Sequence, residues 1–147
     1  MINWEKQLDK VHEFQRIIGY GIQSGISSDN FEKFSLRIRQ ELEKILPPEL
    51  KYFFEKTNGV GFGGVLLYEC NEGNRRTDLV ENNLDWYTND ELRKYLILGD
   101  GNISWYVYLP DEKKYQILDK PSGELMEEFE DVNDFLEGVF NEMSLED

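Results

Sequence analysis

The chain has 147 residues, one cysteine and a formal net charge of −14 from 16 basic and 30 acidic side chains. That length suits one domain with its own core, and an aromatic share of 14% predicts an ordered one. The charge disfavours nucleic acid and anionic lipid as partners and favours a basic one. A lone Cys70 excludes an internal disulfide, no signal-peptide pattern is present at the N-terminus, and no stretch approaches the ~20 apolar residues of a membrane span. The expected compartment is the cytoplasm.

The excess charge is unevenly placed. Residues 1–60 hold 9 basic and 9 acidic side chains, residues 61–118 hold 6 and 10, and residues 119–147 hold 1 and 11. Part of this serves solubility.

Trp4, Leu8, Val11, Phe14 and Ile18 recur at spacings of three and four and predict an amphipathic helix over 4–18. The only histidine, His12, lies among its polar residues and reads as a surface side chain. Residues 19–28, GYGIQSGISS, read as a loop. Ser28 or Asp29 can cap a second helix over 30–45, with Phe31, Phe34, Ile38, Leu42 and Ile45 as its stripe. Pro47 and Pro48 suit the start of a short third helix, on which Leu50, Phe53 and Phe54 share a face. Asn58-Gly59 is its expected stop. A glycine loop then leads into a buried strand, Val65 to Tyr68.

Asn71 to Glu81 is polar, and 82–94 is ambiguous between loop and short helix, with a capped helical turn at Asn89-Asp90-Glu91. Trp86 and Tyr87 are either lids on the core or exposed contacts, and partial burial is the expectation. From Leu96 the period becomes two. Strands are expected at 96–98, 103–109 and 115–118, with a possible short one through Leu125, Met126 and Phe129. Gly99-Asp100-Gly101-Asn102, Pro110 to Lys114 and Asp119 to Gly123 are the expected turns. Val132, Phe135, Leu136, Val139, Phe140 and Met143 define a last helix, capped by Asp131 or Asn133. Glu130, Asp131 and Asp134 complement its dipole, whereas Glu137, Glu142, Glu146 and Asp147 do not. The economical account is one α+β domain over 1–147: an N-terminal helix and loop (1–29), then a core (30–143) with helices packed on one face of an antiparallel meander.

Chemical motifs are weak. Gly59 to Gly64 matches G-x-G-x-x-G, but a helix precedes it and a strand follows, the reverse of a dinucleotide site. One cysteine and one histidine cannot build a zinc centre, and Asp100-Gly101-Asn102 lacks the spacing of a calcium loop. His12 has no recognisable nucleophile partner, Cys70 reads as inert, and Arg75-Arg76 is too short for a nucleic-acid patch. Thirty acids guarantee that some carboxylates lie close together, so a hydrolytic pair has no specific signal. No cofactor, metal or catalytic residue is expected.

Leu46-Pro47, Tyr52-Phe53-Phe54 and Asn58-Gly59 resemble the LP…F…NG core of the SUKH superfamily, which includes a yeast cell-wall-synthesis regulator and many bacterial immunity proteins. Phe62 to Tyr68, Tyr95-Leu96 to Gly99-Asp100, Trp105-Tyr106, Leu118 to Gly123 and Glu128-Phe129 are similar to its YrhA-type branch, so the resemblance spans roughly residues 30–140. Gly63 replaces the branch's usual asparagine, and Leu50 stands where tyrosine is common. The resemblance implies an α+β fold with an antiparallel sheet and a non-catalytic, antitoxin-like role in which the protein binds a cognate toxin, often a nuclease. The acidic half fits a basic toxin. Asp131, Asp134, Glu137 and Asp100, with Trp86 and Tyr87 as aromatic anchors, are the expected partner contacts. The alternative is a regulatory or scaffold protein without a toxin partner.

Overall fold

The computed structural model describes residues 2–143; Glu146 and Asp147 lie outside the described residues. The first helix, α1 (Asn3–Ile17), buries Trp4, Leu8, Val11 and Gln15. The Trp4 indole N–H donates to Asn133 Oδ1 at 2.8 Å and so ties the two ends of the chain together. The apolar stripe is shorter than its spacing predicts, because Ile18 lies past the helix and is exposed.

The second helix, α2 (Ser28–Leu42), is capped by Ser27, not by Ser28 or Asp29; Ser27 Oγ accepts from the Asn30 N–H. It stops at Glu43, whose φ of 56° is left-handed, so the expected stripe residue Ile45 lies beyond the helix in solvent. A 3-10 turn (Pro48–Leu50) leads into α3 (Lys51–Lys56), and Leu50, Phe53 and Phe54 are buried as their spacing predicts. Thr57 in extended conformation ends α3. Gly59 is left-handed, but it opens the sheet rather than capping the helix. A Cβ there would stand 2.7 Å from the Leu67 carbonyl oxygen.

The glycine loop is a hairpin. β1 (Val60–Phe62) and β2 (Val65–Leu67) pair antiparallel around Gly63 and Gly64. Those two residues have φ of 60° and 79°, the positive values a tight two-residue hairpin turn demands. No helix N-terminus follows, so the G-x-G-x-x-G match has no phosphate-cradling geometry.

The polar stretch after β2 leads into α4 (Leu79–Trp86), capped by Asp78. A 3-10 turn (Asp90–Lys94) follows, with the Asn89 side chain accepting from the Glu91 N–H as predicted. Then come β3 (Leu96–Gly101), β4 (Ser104–Leu109), β5 (Lys114–Asp119), β6 (Leu125–Phe129) and α5 (Val132–Asn141). All six strands form one antiparallel sheet in chain order, so the fold is α+β with a meander at its centre.

One expected turn is strand. Gly99 and Asp100 pair with both β2 and β4, Gly101 pairs with β2, and the reversal comes only after them. These glycines serve close approach, not turning: a Cβ on Gly99 would meet the Leu66 carbonyl oxygen at 2.3 Å. Gly99→Ala is therefore expected to lower stability by about 1–3 kcal/mol through overpacking, read as a fall in the urea midpoint at unchanged slope. Beside it, the β3 bulge is held by buried Asn83. The Asn83 amide donates to the Ile97 carbonyl and its oxygen accepts from the Ile97 N–H, both at 2.8 Å.

Neighbouring strand residues point to opposite faces, and on β4 both faces are covered. Tyr106 donates to Glu142, just past α5, while Trp105 meets the Trp86 ring of α4. The alternation of Trp105 and Val107 with Ser104 and Tyr106 therefore does not separate core from solvent; all four are buried. On the α5 face, Phe135 stacks on Tyr115 with ring centroids 4.9 Å apart, and Gly138 lies against Phe129 and Ile117. Among the described residues no helix is long and apolar enough to cross a membrane.

Candidate functional site

Of the six residues singled out from sequence, the fold brings Trp86 and Asp100 together. Asp100 lies on β3 with its carboxylate in a compact polar cluster. Tyr68 donates its hydroxyl to Asp100 Oδ1 at 2.7 Å, and Lys120 Nζ donates to Oδ2 at 2.6 Å. The Trp86 indole N–H donates to the Tyr68 oxygen at 2.8 Å, and Lys120 lies over the Trp86 ring at 5.3 Å. Burial, then the Asp100 charge, pushes the Tyr68 hydroxyl far above its ordinary value, so it remains a donor. The cluster is internally satisfied. Lys120 is the single cation among the 11 acids of residues 119–147, and it is turned inward to Asp100. That isolation in sequence was the signal that could have marked it.

Tyr87 is half-buried and faces another way. Its hydroxyl donates to the Tyr95 carbonyl at 2.6 Å, Lys44 lies over its ring at 4.8 Å, and burial raises its pKa. Both sequence-chosen aromatics are thus half-buried lids with their polar atoms engaged.

The three α5 acids separate into two kinds. Asp131 is the N-cap, accepting from the Asn133 and Asp134 N–H groups, and it stays exposed. Asp134 is exposed in the first turn. Glu137 is half-buried and accepts from Asn3 of α1. The exposed acids continue backwards along the chain through Glu130, Glu127 and Glu124, so the segment from the start of β6 to the first turn of α5 is rich in exposed acid. Glu128 also lies on β6 and pairs with Lys114 at 3.2 Å. The α5 dipole offsets Asp131 and Asp134 only; on β6, Lys114 offsets Glu128, and among the described residues Glu127 has no ion-pair partner.

A second polar cluster was not visible in the sequence. Asp78 is fully buried and takes both terminal nitrogens of Arg37 at 2.8 Å, together with the Asn71 and Glu81 N–H groups. Next to it, buried Glu69 accepts from Gln23, Asn71 and Thr77. These groups lock the 69–78 loop onto α2 and α4. Near them burial raises the Cys70 thiol pKa, which keeps it protonated and unreactive at neutral pH. Burial, then Arg16, lowers the His12 pKa, so it is uncharged at neutral pH. Among the described residues no group of three or more His, Cys, Asp or Glu is placed to hold a metal ion.

Compared with known proteins, the chain matches no family model and no curated relative.

Proposed function

We propose that this chain is a non-catalytic, cytoplasmic binding protein that neutralises a basic protein, in the manner of a bacterial immunity or antitoxin protein facing a nuclease-type toxin. One observation carries this reading: Glu124, Glu127, Glu130, Asp131 and Asp134 are exposed together along β6 and the start of α5. Lys120, the one cation of residues 119–147, is engaged by Asp100. An excess of one sign along an exposed segment speeds capture of an oppositely charged partner, and a nuclease carries the basic surface that its substrate requires. The resemblance of residues 30–140 to the SUKH superfamily supports the same reading.

The test is to express the product of the neighbouring gene with and without this protein. Rescue of growth and co-purification at a fixed ratio are expected; no rescue and no complex would refute it. In the complex, Glu130→Lys with Asp134→Lys is expected to slow association by on the order of tenfold at low salt and to flatten its salt dependence. An unchanged association rate would remove the steering argument.

A further inference from the structure

The two edges of the sheet are finished differently. At β1, the Gln15 side chain of α1 donates to the Gly61 carbonyl at 3.0 Å, and Phe14 stacks on Phe62, so that edge is occupied. At the other end of the strand order, β6 bonds only to β5. Among the described residues, no side chain and no other backbone group bonds to the main chain of Leu125–Phe129 beyond that pairing. An open edge is a template for another strand, and proteins that keep one open normally blunt it. β6 has two such devices, its glutamates and an extra residue at Met126 opposite Ile117–Leu118, yet Leu125 and Met126 still leave it an apolar, half-exposed part, at 53% and 49% of their surface.

We propose that β6 takes up an extended basic segment of the partner protein as a seventh strand, resting on the reading that the partner is basic. Backbone pairing supplies the affinity, and side chains on the two faces supply the choice of partner. A segment carrying lysine or arginine finds Glu124, Glu127 and Glu130 beside the edge, while its apolar residues cover Leu125 and Met126. A second copy of this chain is disfavoured, because edge-to-edge pairing would set the glutamates of one β6 against those of the other, and like charges directly opposite destabilise a strand pair. The five residues of β6 match a segment of about five residues, roughly 16 Å long.

The probe is a synthetic octapeptide alternating lysine and valine, compared with the same peptide methylated at every backbone nitrogen. Both carry the same charge, but only the first can donate backbone hydrogen bonds. The first is expected to slow amide exchange at Leu125–Phe129, and the methylated form to bind at least on the order of tenfold more weakly, as loss of two or three hydrogen bonds requires. Glu124→Lys with Glu127→Lys, both with exposed side chains, is expected to weaken binding of the first peptide by a similar factor while leaving the thermal unfolding curve unchanged. Equal affinity of the two peptides, or protection confined to other elements, overturns strand addition and leaves the basic-partner reading intact. Absence of binding by either peptide also overturns it, and growth rescue then judges the basic-partner reading separately.

Discussion

Asp78→Ala is expected to destabilise the protein by about 3–5 kcal/mol, because it removes the buried half of an ion pair and leaves Arg37 with only its more exposed partners Glu41 and Glu72. Asp78 has no exposed side-chain surface and accepts four hydrogen bonds, two from Arg37 and two from backbone N–H groups. Its loss removes the cap of α4, the anchor of the 69–78 loop and the buried counter-charge of Arg37 in one step. Against a total stability of about 5–15 kcal/mol, that is a large share. The melting temperature should fall by roughly 10 °C or more.

The same residue sets an acid limit. Burial alone would raise the Asp78 pKa, but hydrogen bonds from Arg37 and from the Glu81 and Asn71 N–H groups, with the charge of Arg37, hold it below the usual carboxylate value. A carboxyl whose pKa is depressed by folding contributes stability that is complete above its unfolded pKa, near 4. That contribution is lost as pH falls through the lower folded value. Urea unfolding of the native protein should therefore weaken progressively below about pH 4, and Asp78→Asn should be flatter in that window. Equal slopes in the two proteins would assign the acid limit to other carboxylates.

Phe135→Ala is expected to cost about 3–5 kcal/mol by opening a cavity beneath α5. The Phe135 ring is fully buried between Tyr115 of β5 and Phe129 of β6, at centroid distances of 4.9 and 6.0 Å. It is the contact that holds the acidic turn of α5 against the open strand β6. Loss of this ring should accordingly speed amide exchange across β6 and α5 more than across β1 and β2. Phe135→Leu, which fills part of the space, should recover part of the stability. A uniform rise in exchange would mean that the sheet opens as one unit and that Phe135 has no special hold on the acidic face.

The elements that were legible in the sequence are those whose pattern is both long and local. The stripe of α5, the capped turn at Asn89 and the succession of hairpins from β3 to β6 all follow from spacing and turn chemistry within a dozen residues. Two short elements, β1 and α4, were not legible. β1 is three residues long with a glycine at its centre, so it shows no period, and α4 starts inside a polar run whose meaning depends on Arg37, 41 positions before Asp78. Gly99-Asp100-Gly101 looks like a turn because glycine serves two purposes, reversal and close approach, and only the neighbouring strand shows which applies.

The candidate site divides in the same way. Sequence alone determined the long helices, the succession of strands from β3 to β6, most of the buried stripes and the concentration of acid in the last 29 residues, because composition and period are properties of the chain itself. Only the tertiary structure decided which charges are free. Asp100 looks like a free acid and Lys120 like a lone base, yet they meet across 20 residues and cancel, while Trp86 and Tyr87 turn their polar atoms inward. Pairing and burial depend on which strands become neighbours, and that is set by the packing of the whole chain. The same packing closes one edge of the sheet with Gln15 and leaves β6 open beside its glutamates.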